Sequence, residues 1–279
     1  MGRHIRIQYT DELLHVTNRF LEARFFAAPN PNSTIHADFE AILAEAIITY
    51  GLILYAGVLM SNHYHLCLRA PLGNISLAMR YIQTELAKAI NRDRGRTGTV
   101  FPTRFEHTVI GGDRDAQVDI LRYIILNPAA ANLVQNPHHW PGFITRSSWR
   151  RAPNETLPVT HLPCFDSLKS QRDALMPIIA EQIAAVRRRR RGVLGVKAIC
   201  RTHWDGRSRA PKKSAPRKFE DTFKSHDPVE KQRLIDLSRA VEAAYRDAAQ
   251  IWVDALDVRA RGDGFLGLVW VLGRYLAPG

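Results

Sequence analysis

Cysteine is scarce in this chain of 279 residues, which has only three. Cys67, Cys164 and Cys200 are far apart, so the chain has none of the closely spaced cysteine pairs typical of a zinc ribbon. An odd number of isolated cysteines also argues against a disulfide framework. We therefore expect a protein of a reducing compartment.

Long apolar stretches are also missing. The longest late apolar run, residues 265–272, contains Gly267 and is far shorter than the roughly 20 residues that cross a bilayer. The first residues are charged and lack the apolar core of a signal peptide. We therefore expect a soluble, cytoplasmic protein.

Acidic residues are nearly absent from residues 187–218. This stretch holds thirteen basic residues and one acid, Asp205, so its charge of +12 equals the formal net charge of the whole chain. Because like charges repel, we expect an extended segment, which is either a solvated linker or an arm that binds phosphates. The basic residues are Arg187, Arg188, Arg189, Arg190, Arg191, Lys197, Arg201, Arg207, Arg209, Lys212, Lys213, Arg217 and Lys218.

The most informative motif that is present consists of two histidines, His63 and His65, separated by one residue. Apolar residues on both sides predict a β-strand, in which alternate side chains point to the same face. Tyr64 would then point to the other face. Two neutral imidazoles can hold a divalent metal and leave coordination positions open for substrate and water. A polar strand face without a metal remains the alternative.

A second motif surrounds Tyr123, where the apolar spacing predicts a helix. Pro128 disfavours the helical conformation at the residue before it, so the helix is predicted to end at Asn127. Asp119, Tyr123 and Asn127 recur every four residues and share one polar stripe. The phenol and the amide can therefore reach a single site, although a tyrosine in such a helix commonly serves only in packing.

Together, the two motifs resemble the HUH single-strand transposases with one catalytic tyrosine, in particular their REP-associated branch. The resemblance covers roughly residues 13–150, and its blocks occur in the family's order. Two positions depart mildly from the pattern, because Tyr64 replaces a bulky apolar residue and Ser61 replaces a frequent proline. The matching blocks are residues 15–19, 58–66, 98–105, 123–134 and 147–149.

The resemblance implies an enzyme that nicks and rejoins hairpin-forming single-stranded DNA. Tyr123 would form a 5′-phosphotyrosine, which the 3′-hydroxyl of a second strand would displace. His63, His65 and Asn127 would hold a divalent metal, Mg²⁺ or Mn²⁺, that polarises the phosphate. Such a transposase would be associated with the nucleoid and would act as a monomer or homodimer.

Further arginines are expected to contact the DNA backbone. Four of them surround two glycines in the middle of the chain, and five open the acid-poor stretch. These candidate DNA-binding residues are Arg92, Arg94, Arg96 and Arg104, and Arg187, Arg188, Arg189, Arg190 and Arg191.

Three alternatives remain open from the sequence. Cys67 is predicted to share the strand face of His63 and His65, which would allow a His-His-Cys zinc site. A domesticated transposase without activity would use the same fold and basic stretch only to bind DNA hairpins. A histidine-liganded phosphoesterase acting on RNA would form no DNA-tyrosyl adduct.

The first 150 residues show a β-α-β-β-α-β order. This order is typical of the ferredoxin-like split pattern, an α+β fold in which helices cover one face of an antiparallel sheet. Beyond it we predict mainly helix, with Asp227 as an N-cap before Pro228. The predicted regions are a catalytic domain over residues 1–150, a helical connector over 151–186, a basic flexible linker over 187–226 and a helical C-terminal extension over 227–279.

Overall fold

In the computed structural model, the chain forms two compact units. One unit is Gln8–Lys231, and the other combines Met1–Ile7 with Gln232–Gly279. The residues that the structure describes are 9–152, 155–188, 192–206 and 222–260.

The helices and strands confirm the predicted α+β class and the β-α-β-β-α-β order. All six elements of that order lie within residues 13–110. In chain order the elements are β1 (Leu13–Arg19), α1 (Ile35–Tyr50), β2 (Ile53–Leu59), β3 (His63–Arg69), α2 (Ile75–Asp93), β4 (Glu106–Ile110), α3 (Arg114–Ala130), α4 (Leu168–Arg188), α5 (Val196–Cys200), β5 (Thr222–Lys224) and α6 (Pro228–Ala260).

The sheet has five strands in the order β2-β3-β1-β4-β5. The first four strands are antiparallel to their neighbours, as predicted. β5 is an addition that the sequence did not predict, and it pairs parallel to β4 at the edge. Three residues are too few to show the alternation from which a strand is recognised.

The two helices of the predicted pattern cover one face of the sheet, as expected, but a third helix covers the other face, which the prediction had left without helices. α1 and α2 share one face, where the buried Tyr64 ring lies near Phe39 of α1 and its hydroxyl accepts a hydrogen bond from Gln83 of α2 at 2.9 Å. α3 lies against the opposite face, onto which His65 and Cys67 point. The alternation of β3 therefore separates a packing face from the face that carries the candidate site.

The apolar side of α3 anchors it on the sheet. Ile120, Leu121, Ile124 and Ile125 are all buried, in the same core cluster as Cys67. Since these residues recur three and four positions apart, they form one stripe, and Tyr123 is left on the other side of the helix. The packing of α3 thus decides where the tyrosine is placed.

The predicted end of α3 was wrong by three residues. The helix passes through Pro128 and ends at Ala130. Proline removes one donor in the last turn, but the N–H groups of Ala131 and Leu133 still pair with the carbonyls of Asn127 and Pro128, at 3.0 and 3.1 Å. Pro128 is buried, so packing outweighs the local conformational preference.

Segments after residue 150 also pack in the first unit. Leu175 and Ile179 of α4 are buried in the cluster that includes the α3 stripe, and Ile199 of α5 joins them. Gln171 is buried and bonds to Leu162 N and Ser148 O, at 2.7 and 2.6 Å. Part of the acid-poor stretch is therefore helical and packed.

α6 begins as predicted at Pro228. The Asp227 carboxylate accepts a hydrogen bond from Val229 N at 2.9 Å, which confirms the N-cap. α6 runs to Ala260, which confirms the predicted helix over residues 228–260, while residues 261–279 of the predicted extension lie outside the described residues. Within the described residues, no helix is both long and apolar enough to cross a membrane.

Candidate active site

The histidine pair lies on the face of β3 that α3 covers. The ring centroids of His63 and His65 are 4.8 Å apart, with the rings nearly perpendicular. His63 Nδ1 is 2.5 Å from Asn62 Oδ1, which orients its ring. His65 is buried, with 5% of its surface exposed. The predicted alternation is confirmed, because His65 contacts Tyr123 of α3 whereas Tyr64 contacts Phe39 of α1 on the opposite face.

A third imidazole, His15 of β1, joins the pair. His15 Nε2 is 2.9 Å from His65 Nδ1, and the two rings stack with centroids 5.0 Å apart. His15 is part of a motif that resembles the family, but the sequence did not single it out as a site residue. The available signal was a polar residue between the buried Leu14 and Val16.

Tyr123 brings its phenol ring against this group of imidazoles. Its ring centroid is 5.1 Å from that of His65 and 5.8 Å from that of His15, in edge-on geometry. Even so, 48% of the tyrosine surface is exposed. A large extended substrate can therefore reach the phenol, while the buried side of α3 holds its position.

Asn127 lies one turn after Tyr123 and completes the predicted group. Its amide lies near His63 and raises the pKa of that imidazole, against the larger lowering effect of burial. The structure thus places Tyr123, His63, His65 and Asn127 in one site, although they come from a strand and a helix separated by about 50 residues of sequence.

All three imidazoles in the site are neutral near pH 7. Burial, with a smaller contribution from Arg19, lowers the pKa of His63 to about 4. Burial and the neighbouring His63, His15 and Arg19 side chains lower the pKa of His65 to about 2. Burial and the Lys224 charge lower the pKa of His15 to about 4. Neutral rings keep lone pairs that can bind a cation.

The donor set fits a divalent metal. His65 Nε2 is buried and has no hydrogen-bond partner among the described residues. If His65 Nδ1 donates its proton to His15 Nε2, then Nε2 carries a lone pair, and His15 orients the ligand from behind. Two imidazole nitrogens and the amide oxygen of Asn127 would leave positions open for phosphate oxygens.

A zinc site that includes a cysteine does not fit the described residues. Burial raises the pKa of the Cys67 thiol, so the thiolate that zinc needs is disfavoured there. Cys67 also packs in an apolar cluster. Among the described residues, histidine, cysteine and acidic side chains by themselves form no group of three that could hold a metal, so the donor set above depends on the Asn127 amide as its third ligand.

Several solved structures are similar to this chain, and two of them are described as transposases. One, a REP-associated tyrosine transposase bound to a REP hairpin, has 18% identity and a TM-score of 0.39, over 51% of this chain and 81% of the other. The second, from Deinococcus radiodurans and provisionally assigned as a transposase, has 17% identity and a TM-score of 0.31, over 44% of this chain and 95% of the other. No family model and no curated protein match the chain.

The four arginines near the middle of the chain occupy different environments. Arg94 donates to the carbonyls of Phe26 and Ala28 at 3.0 and 2.9 Å, and only 8% of its side chain is exposed. Arg92 pairs with Asp38, and Arg96 donates to Thr99 O and lies over the Phe26 ring. Arg104 is exposed.

The five arginines of the basic stretch lie at and beyond the end of α4. Arg188 is exposed in the last turn of the helix. Arg189, Arg190 and Arg191 lie outside the described residues, as does the side chain of Arg187.

Several charged residues flank the site, of which only Asp119 was anticipated, as part of the α3 stripe. Arg19 is exposed at the end of β1, directly across from His63 in the strand register. On the other side, Asp119 pairs with Arg122 at 2.8 Å and with Lys224 at 3.7 Å. Positive charge therefore lies on both sides of the phenol.

Proposed function

We propose that this protein is a metal-dependent endonuclease and strand transferase that acts on single-stranded DNA through Tyr123. The observation that carries the proposal is a half-exposed phenol against a buried imidazole, His65, whose Nε2 has no hydrogen-bond partner in the described part of the chain. Nucleophile and candidate metal ligands are thereby within reach of one phosphate. The motif resemblance supports the same chemistry.

The tyrosine would act as the nucleophile of a phosphoryl transfer. The Tyr123 oxygen attacks a backbone phosphorus, its proton passes to solvent at the exposed face, and the 3′-oxygen of the preceding nucleotide leaves and takes up a proton. The products are a 5′-phosphotyrosine and a free 3′-hydroxyl. Because one ester replaces another, the 3′-hydroxyl of a second strand can reverse the step without ATP.

The site residues also prepare the phosphate for attack. His63, His65 and Asn127 would hold the divalent metal, which supplies charge stabilisation at the phosphate oxygens when it is bound. Mg²⁺ and Mn²⁺ suit phosphate oxygens. His15 is a positioning residue in this scheme, since it contacts His65 rather than the substrate.

The proposed substrate is hairpin-forming DNA, and the proposed role is transposition or a domesticated version of it. The motif resemblance supports both, together with a cytoplasmic, nucleoid-associated location. Arg19 and the basic stretch would bind backbone phosphates outside the reacting bond. The protein would act as a monomer or homodimer.

Replacing Tyr123 with phenylalanine tests the proposal. The variant keeps the ring and its packing but loses the attacking oxygen, so nicking should fall to background while DNA binding persists. The measurement is the yield of a denaturation-resistant DNA–protein adduct with Mn²⁺ and palindromic single-stranded DNA. Tyr81→Phe is the matched control, since Tyr81 lies on α2 against the other face of the sheet.

Each outcome separates the enzyme from its alternatives. An adduct at normal yield in Tyr123→Phe would assign the chemistry to another tyrosine. Binding without any adduct in the unmodified protein would favour the domesticated, non-catalytic hairpin binder. Hydrolysis of RNA without an adduct would favour the phosphoesterase.

A further inference from the structure

β5 brings a distant part of the chain to the site. Its last residue, Lys224, lies about 100 residues after Tyr123 in sequence and is paired with Ile110 of β4. In parallel strands, paired residues point to the same face of the sheet. Ile110 packs in the cluster that contains the α3 stripe, so Lys224 also faces α3.

The backbone holds this segment in place without the lysine side chain. Gly111 N donates to Lys224 O at 2.8 Å, next to the β4–β5 pairing. Ser225 Oγ donates to Asp113 Oδ2 at 2.5 Å, and Glu230 accepts from Gly112 N at 2.8 Å. The ammonium group is therefore not needed as an anchor.

Asp119 has more positive neighbours than it can neutralise. Its carboxylate is 2.8 Å from Arg122, 3.7 Å from Lys224 and 3.0 Å from His226 Nε2. In the ion pairs of the described residues, Arg122 and Lys224 share Asp119, so the three side chains carry one net positive charge, and 37% and 38% of the two basic side chains are exposed. An exposed, uncompensated cation attracts an anion.

This charge is adjacent to the reacting phenol. Asp119 precedes Tyr123 by one helical turn on the same stripe of α3. The Lys224 charge also acts on His15, whose ring lies 5.8 Å from the tyrosine ring. Lys224 is thus on the His15 side of the site, whereas Arg19 is on the His63 side.

We propose that Lys224, held by β5 beside Asp119, binds a DNA backbone phosphate that neighbours the one attacked by Tyr123. The inference rests on the proposed function and deepens it, because it assigns part of the substrate path to a residue outside the predicted catalytic domain. The strand would cross the face of α3 between Arg19 and Lys224, with the reacting phosphate over Tyr123.

The test measures DNA binding separately from cleavage. In a Tyr123→Phe background, Lys224→Gln should weaken affinity for single-stranded DNA about threefold to fivefold at low salt, as expected for an exposed ion pair. It should also reduce the logarithmic salt slope by about 0.7, the value for one phosphate contact. Lys224→Arg should restore both. The matched control is Lys88→Gln, which removes an exposed charge on α2.

Neutral methylphosphonate linkages then locate the contact. Each phosphate of the DNA is replaced in turn. At one position, the replacement should weaken binding by the parent protein but leave binding by Lys224→Gln unchanged. If the replacement weakens binding by Lys224→Gln as much as binding by the parent protein at every position, the proposal is overturned. If Lys224→Gln does not fold, Asp119→Asn provides a second test. This variant removes the carboxylate that pairs with Arg122 and Lys224, so the affinity for single-stranded DNA should be unchanged or higher.

The two proposals fail in different ways. Equal weakening in Lys224→Gln and Asp119→Asn would make the pair a structural contact and overturn the phosphate site alone. The phosphate site is also overturned if Lys224→Gln and Lys88→Gln change the affinity and the salt slope equally. Absence of any single-stranded DNA binding by the parent protein would overturn the proposed function and this inference with it.

Discussion

At the scale of single residues, the central feature of the site is that His65 Nε2 finds no hydrogen-bond partner within the described ranges. A buried nitrogen without a partner costs free energy, which a bound cation would recover. His15 occupies the other nitrogen, and Tyr123 covers the ring edge-on. These contacts favour a ligand role over a packing role for His65.

Alanine at the proposed ligands should affect cleavage more than binding. His63→Ala or His65→Ala should lower the cleavage rate by about 100-fold or more, whereas Asn127→Ala should cost about 10-fold because an amide oxygen is the weakest ligand. Chelation with EDTA should abolish cleavage by the unmodified protein. The measurements are rates and dissociation constants across Mn²⁺ concentrations, with the exposed His139→Ala as control. Equal losses of affinity and rate would contradict the metal assignment.

At the scale of elements, histidine also joins α1 to the segment after α3. His36 Nε2 donates to Ala27 O at 3.0 Å, and its Nδ1 accepts from Phe143 N at 2.8 Å. This arrangement requires a neutral ring. Burial, assisted by the Arg94 charge, lowers the pKa of His36 to about 4. The contact therefore depends on pH.

Folding stability should fall as the pH drops from 6.5 towards 4. In the unfolded chain His36 binds a proton below its ordinary pKa of about 6.5, whereas in the folded chain it binds one only below about 4. The stabilisation from the neutral ring is therefore complete above pH 6.5 and is lost as the pH falls towards 4. The contribution lost between pH 7 and 5 is about 2 kcal/mol.

Denaturant unfolding at several pH values checks this prediction. His36→Gln should show a smaller decrease in unfolding free energy between pH 7 and 5 than the unmodified chain. The exposed His139→Gln serves as control and should retain the full decrease. The buried histidines of the site add a decrease of the same sign in every variant, so only the difference is diagnostic.

At the scale of the whole molecule, charge is distributed unevenly. The net charge of +12 is equal to that of residues 187–218 alone. Part of this stretch, α5, packs in the first unit through Ile199. Arg188 stands exposed where α4 ends. The composition and these positions favour binding of a polyanion over a purely passive linker.

Replacing Arg187, Arg188, Arg189, Arg190 and Arg191 with serine should weaken DNA binding at low salt. If all five contact single-stranded DNA, the logarithmic salt slope should decrease by up to about 3.5. Cleavage of saturating substrate should survive, since the reacting groups lie elsewhere. Affinity measured at several salt concentrations decides the role. An unchanged slope would make the stretch a spacer, and lost cleavage at saturation would place it in the active site.

Local patterns of the sequence determined most of the fold and the core of the site. Alternation placed His63 and His65 on one face, and helical spacing placed Tyr123 and Asn127 on one stripe, because both periodicities are properties of the backbone. Tertiary structure decided the rest. Packing of the buried Pro128 overrode its local preference, and strand pairing brought His15 to His65 and Lys224 to Asp119. Such contacts join residues about 50 and 100 positions apart, so the local periodicity of the sequence does not predict them.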